Sequence, residues 1–320
     1  MNDMKKSKNS IIDYLKTGTN ILKSNILYVL LYWLIVSTVV VILTLPFASA
    51  VNSVYGRSDI ATDIEESPLL ENYLIIDLFV GHSERLLDAM SPPLLMLGFA
   101  GVLLIGVFFT GGLLERFVGG AAESVKTVKH KKTTASKPTG FFHGALRHFP
   151  AMLIILILGG LLLFLLNLVS IHLYHFFRGM VWGLTGSEAL RYYIAFAGMH
   201  LIYYFLFFLI ALYLQYVRIG VVATAQSSKD KQPLRIRLKN ALVDAYDIFS
   251  EKKWQVIGLF FLVWLLTAVW YVLDHFVFYA ALSPTAGYIL LVWTIITGFI
   301  YTLLRYLSYS AAAVLFKNSK

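Results

Sequence analysis

The chain has 320 residues, of which 58% are hydrophobic and only 14% are charged, and its mean hydropathy is +0.71. Soluble globular domains carry about 25% charged residues, so this composition excludes a soluble protein and indicates an integral membrane protein. The chain has no cysteine, which excludes disulfides, thiolate metal sites and cysteine nucleophiles. We expect no nucleic-acid partner, because the net charge of +9 is better explained by membrane topology.

Six stretches of the chain are long and apolar enough to cross a membrane, which takes about 20 residues. The first is longer than the apolar region of a signal peptide, about 7–15 residues, so we interpret it as a retained span. The sequence therefore predicts an all-α polytopic membrane bundle of six transmembrane helices, with residues 1–320 forming a single integral membrane domain. The predicted spans cover residues 26–48, 93–114, 150–172, 193–216, 255–273 and 286–308.

Basic residues are distributed unequally between the two sides of the predicted bundle. Of the 27 basic residues, all but four lie before an odd-numbered span or at or beyond the end of an even-numbered one. The exceptions are Arg57, Arg85, Arg178 and Arg191. We call the side that carries the majority the basic side. The positive-inside rule makes it cytoplasmic, so the prediction is a multi-pass protein of a bacterial inner membrane with both termini in the cytoplasm.

The odd-numbered spans are each preceded by an amphipathic segment. Before span one, Ile11, Leu15 and Leu22 share one helical face, and similar spacing precedes spans three and five. These segments predict interfacial helices. The even spans each end in an arginine followed by small residues, at Arg116, Arg218 and Arg305.

One interpretation of this pattern is an interfacial helix plus a transmembrane hairpin, repeated three times. The alternative is that any six-span protein has basic, amphipathic cytoplasmic ends. The arrangement from Ile11 to Phe316 is similar to a loose group of bacterial six-span proteins. That group includes the membrane domain attached to some glycerophosphoryl diester phosphodiesterases, and related uncharacterised families. The resemblance rests on pattern, with no specific motif. It implies a helical membrane module and carries over no catalytic residue.

The basic segments predict contact with the lipid bilayer and its anionic headgroups, at about 1 kcal/mol per basic residue near the surface. The alternative is that they are solvated loops that serve only topology. The candidate headgroup-binding residues are Lys126, Lys129, Lys131, Lys132, Arg235, Arg237, Lys252 and Lys253.

On the opposite side, ionisable residues gather at the ends of spans three and five. His172 and His175 share a helix face, and Asp274 and His275 end span five. Imidazole and carboxylate groups bind divalent metals or relay protons, so these four residues are a candidate metal or proton-relay site. The alternative is that they belong to the amphipathic belt of the membrane interface.

The sequence contains no Walker loop, no Gly-x-Ser-x-Gly elbow and no His-Glu-x-x-His motif. The favoured prediction is a non-enzymatic scaffold, assembly or accessory module that has a membrane protein partner and no cofactor. A carrier or channel for a lipid or apolar solute is the first alternative. A membrane enzyme or metal protein that uses the His/Asp residues is the second.

Overall fold

The computed structural model describes residues 10–55, 92–129, 140–181, 187–227, 232–280 and 287–319. Within these ranges the chain is all-helical, and six helices are long and apolar enough to cross a membrane. The predicted fold class is therefore confirmed. The helices are α1 (Ile11–Ser24), α2 (Ile26–Tyr55), α3 (Pro92–Lys129), α4 (Phe141–Val181), α5 (Glu188–Ser227), α6 (Leu234–Ala280) and α7 (Gly287–Ser319).

Several helices are longer than a bilayer requires. The helix α4 has 41 residues and α6 has 47, whereas about 20 residues cross the hydrocarbon core. The additional length of these two helices includes the predicted amphipathic segments. We call α1, residues 141–149 of α4 and residues 234–251 of α6 the interfacial segments.

The helix α1 begins with a capping box. The Ile12 N–H donates to the Ser10 hydroxyl over 3.3 Å, and the Ser10 N–H donates to the Asp13 carboxylate over 2.9 Å. These bonds satisfy backbone donors that a helix N-terminus otherwise leaves free. Burial, and to a smaller extent the Asp13 carboxylate, raises the pKa of the Tyr14 phenol, so this buried side chain stays neutral at physiological pH.

Two of the three interfacial segments join their spans at a residue with non-helical backbone angles. Asn25, between α1 and α2, has φ −121° and ψ 15°, and Lys252, inside α6, has φ −124° and ψ 28°. In α4 the corresponding residue is Pro150, which lies inside the helix and has no N–H to donate to it. The three junctions therefore differ in local geometry.

The contacts group into two compact units, one formed by Met1–Val29 with Val107–Lys320 and the other by Leu30–Gly106. In the smaller unit, α2 and α3 approach closely at a glycine. A Cβ added to Gly98 would lie 2.2 Å from Cδ1 of Leu43, so this contact requires a residue without a side chain at position 98.

In the larger unit, the interfacial segments pack against the ends of α3, α5 and α7. We call residues 107–124, 212–227 and 305–319 the span ends. Each interfacial segment packs on the span end that precedes it in the chain, and α1 packs on the last one. The residue pairs at these contacts, each of which includes a glycine, are Gly18 with Ala311, Gly144 with Glu115, and Ala241 with Gly220.

Hydrogen bonds join each interfacial segment, or the residue where it meets its span, to the next span end as well. The donors and acceptors are Arg116 Nε to Asn25 Oδ1 (3.1 Å), Arg147 Nη2 to the Ala225 carbonyl (2.7 Å) and Lys252 Nζ to the Asn318 carbonyl (3.4 Å). Three interfacial segments and three span ends thus alternate around a closed circle, which we call the ring.

The ring holds much of the buried core of the larger unit. Among the described residues, its largest fully buried side chains include Phe117, Tyr216, Tyr306 and Phe316. The span stretches are covered by the protein itself to different extents, since 6% of the most apolar window of α5 is buried but 50% of that of α7. In a bilayer these apolar faces meet lipid or another membrane protein.

We predict that Gly18→Ala lowers the free energy of unfolding by about 1–2 kcal/mol, because overpacking a close contact costs about 1–3 kcal/mol. The added Cβ would lie 2.7 Å from the backbone of Ala311. Thermal unfolding of the purified protein in one detergent measures the change.

The matched control is Gly160→Ala in α4, where a Cβ would meet nothing within 4 Å. This change is expected to be neutral or to stabilise by up to about 1 kcal/mol, since alanine is the better helix former. Equal unfolding temperatures for the two variants would contradict the close contact at Gly18.

Candidate functional site

A buried acid–base pair lies in the ring between α3 and α4. Glu115 and His148 are 1% and 0% exposed, and the Nε2 atom of His148 lies 2.8 Å from Oε2 of Glu115. Gly144 brings the two helices together, because a Cβ there would lie 2.7 Å from Cβ of Glu115. His148 is one helical turn beyond Gly144, so it faces the same neighbour.

The pair is connected to a third element, the end of α5. The Gln226 side chain donates to the Glu115 carbonyl over 2.9 Å, and Arg147 donates to the Ala225 carbonyl. The Nδ1 atom of His148 is buried and has no hydrogen-bond partner among the described residues. Chemically, the pair can share a proton, and structurally it ties α3 to α4.

Neither residue of this pair stands out as a candidate in the sequence. The available signal is an acidic residue, Glu115, at the edge of an apolar run, because ionisable residues at such positions are costly unless they are paired.

The three arginines at the ends of the even spans lie in the ring but differ in their contacts. Arg116 donates to Asn25, and Arg218 donates to the Tyr309 hydroxyl. The guanidinium carbon of Arg305 lies 5.8 Å from the centre of the Tyr306 ring. The three arginines therefore occupy the same place in the sequence pattern but differ in their contacts.

An open groove of about 540 Å³ lies between α4 and the interfacial segment of α6. Arg235, which was predicted to bind headgroups, lines this groove together with Lys239, which was not singled out. The remaining lining is apolar and consists of Ile154, Leu234, Leu238 and Leu242. The wall of the groove is therefore almost entirely apolar, because Arg235 and Lys239 contribute mainly their side-chain stems to it. Both residues are exposed, so their charged ends form only its edge.

Among the side chains that the structure describes, the other predicted headgroup residues do not line this groove. Lys253 is exposed, and its ammonium lies 5.9 Å from the Trp254 ring. Lys252 and Arg237 are half-buried, and Lys252 belongs to the ring. Lys126 and Lys129 lie in the last turns of α3, where side chains are not described, and Lys131 and Lys132 lie outside the described residues.

The ionisable residues on the opposite side have local partners. The Asp274 carboxylate accepts from Trp293 over 2.7 Å and from Thr297 over 3.0 Å, so it links α6 to α7. The imidazole of His275 stacks on Tyr271, and the imidazole of His175 packs edge-on against Tyr174.

His172 is exposed on α4. In the part of the chain that the structure describes, no three histidine or acidic side chains converge as a metal-ligand set. The metal or proton-relay site stays a prediction.

No protein-family model, no curated protein and no solved structure matches this chain. The features of the protein that bear on its function are therefore the ring, the buried pair and the groove.

We predict that His148→Leu lowers the free energy of unfolding by about 2–3 kcal/mol, because removing one partner of a buried hydrogen bond costs about 1–3 kcal/mol. The control is His143→Leu, an exposed histidine of the same segment, whose loss is expected to cost within about 0.5 kcal/mol. Chemical or thermal unfolding of both variants gives the comparison.

A double-mutant cycle with Glu115→Leu separates this pair from general packing. The two changes together should cost less than the sum of the single changes, since each single change disrupts the same bond. Strict additivity would show that the 2.8 Å contact adds nothing to stability.

Proposed function

We propose that this protein is a non-enzymatic module of a bacterial cytoplasmic membrane, a scaffold or accessory subunit whose ring lies at the cytoplasmic face. One observation carries the proposal. The contacts of the ring are made within the protein, while most of the apolar surface of the spans in α2, α4, α5 and α6 is exposed.

The ring has the properties of a fixed base. Its polar side chains bond across elements, as Arg116 does to Asn25 and Gln215 does to Ser308 over 3.0 Å. Such bonds set the positions of α3, α5 and α7 relative to the interfacial segments. A rigid arrangement of this kind would hold the exposed helix faces in fixed positions, where another membrane component can bind them.

The spans supply surfaces for such a component. Leu201 and Phe205 of α5 are 74% and 60% exposed, and they lie one turn apart on the same face. Between membrane helices, close packing and hydrogen bonds drive association, because the hydrophobic effect is already satisfied by lipid. A partner helix that packs on these faces would therefore be recognised by its shape.

We predict that the protein, extracted from its native membrane with surrounding lipid, carries a second membrane protein in fixed stoichiometry. Native mass spectrometry measures the ratio. Purified alone and reconstituted in vesicles, the protein should give no solute flux and no lipid redistribution above empty vesicles. Independent transport by the purified chain would favour the carrier alternative, and a chain extracted without a protein partner would contradict the accessory role.

Orientation is tested with two serines at opposite ends of α5. The chain has no native cysteine, so Ser187→Cys and Ser227→Cys each create a single thiol at an exposed position. A membrane-impermeant maleimide is expected to label Ser187→Cys in intact cells and Ser227→Cys only after permeabilisation, because the basic side is retained inside. The reverse pattern would place the ring outside and contradict the proposal.

A further inference from the structure

We propose that the groove between α4 and α6 binds one anionic glycerophospholipid of the leaflet on the basic side. The lipid phosphate lies between Arg235 and Lys239, and an acyl chain follows the apolar floor formed by the other lining residues. This inference goes beyond the proposed function, because a bound lipid neither requires nor excludes a protein partner.

The shape of the groove suits an amphiphile. Leu234, Leu238 and Leu242 recur every four residues and form one apolar stripe along α6, about 12 Å long at 1.5 Å per residue. Ile154 faces this stripe from α4 and lies one turn beyond Pro150, inside the span. The volume of about 540 Å³ falls within the range of ligand sites, about 300–1,000 Å³.

The charge of the groove suits a phosphate. Arg235 and Lys239 lie four residues apart, so both cations are on adjacent turns of one face, where like charges repel. Neither makes an ion pair or a side-chain hydrogen bond within the described ranges. An anion held between them relieves the repulsion and uses the donors, and the guanidinium fork of arginine matches phosphate oxygens.

A lipid fits the whole groove, and a free phosphate fits only its basic edge. Four of the six lining residues are apolar, and they lie on helices that cross the membrane. A lipid covers these side chains and places its headgroup beside the cations, where an anionic surface attracts basic residues. A small soluble anion would leave the leucine stripe without an occupant.

The experiment uses the full chain reconstituted in bilayer nanodiscs that contain equal parts of phosphatidylglycerol and phosphatidylcholine. Native mass spectrometry measures which lipid stays bound as the collision energy rises. We expect one phosphatidylglycerol per wild-type chain. In the double variant Arg235→Gln/Lys239→Gln its binding should weaken roughly 30-fold, from the contribution of two basic residues near a lipid headgroup.

The matched control is Lys16→Gln/Lys23→Gln, which removes two exposed cations from α1 and changes the net charge equally. It should retain phosphatidylglycerol as the wild type does. Equal losses in the two double variants would overturn the proposal, because they would show that total charge and not the groove holds the lipid.

A second variant tests the apolar floor without changing charge. Ile154→Trp places a large ring in the groove and should lower retention of phosphatidylglycerol several-fold. Leu161→Trp, at an exposed position of the same helix, should leave retention unchanged. Thermal unfolding of each variant shows that it is folded.

Three other results would overturn the proposal. Retention in Ile154→Trp equal to wild type would show that the groove is not the site. Equal retention of phosphatidylcholine and phosphatidylglycerol by the wild type would remove the role of the cations. Displacement of phosphatidylglycerol by millimolar inorganic phosphate would identify a site for a free anion.

Discussion

Close approach between helix backbones at glycine is the constraint on which this structure depends. In lipid, helices gain little from the hydrophobic effect when they associate, so short contacts and hydrogen bonds must hold them together. Gly144 allows α4 to approach α3 until Glu115 and His148 meet, and Gly18 allows α1 to approach α7. Without these approaches the polar groups of the ring would be buried without their partners, at a cost that membrane proteins avoid.

The ring and the groove follow from the same placement of α6. Ala241 packs on Gly220 of α5, and it lies on the same helical face as Leu234 and Leu238, seven and three residues before it. This one apolar face is therefore covered by α5 at Ala241 and borders the groove toward α4 at Leu234 and Leu238. Arg235 and Lys239 each follow one of these leucines in the sequence, so the cations lie beside the face.

Much of the fold could be predicted from the sequence, because length and hydropathy alone identify six spans. The places where the interfacial segments meet their spans are also visible in the sequence, because Asn25, Pro150 and Lys252 each stand just before an apolar run. The partners of individual polar groups were not predictable. Glu115 and His148 are far apart in sequence, and no local pattern indicates that a glycine brings them together.

Asp274 shows the same limit on prediction. Its neighbour in the sequence, His275, suggested a metal ligand set, whereas its hydrogen bonds go to Trp293 and Thr297 of the next helix. The sequence identified Arg235 as a headgroup residue but not the groove, since a cavity depends on how α4 and α6 cross. Which helices pair is decided by side-chain volume at a few contacts. A hydropathy pattern does not identify these contacts.

The contact between Gly18 and Ala311 also has a consequence for biosynthesis. Within this sequence α1 is synthesised before α7, so the buried face of α1, with Tyr14, Ile21 and Leu22, lacks the part of its docking surface around Ala311 until α7 is inserted. During that interval α1 can rest on the membrane surface as an amphipathic helix. A chain that lacks α7 keeps this face uncovered.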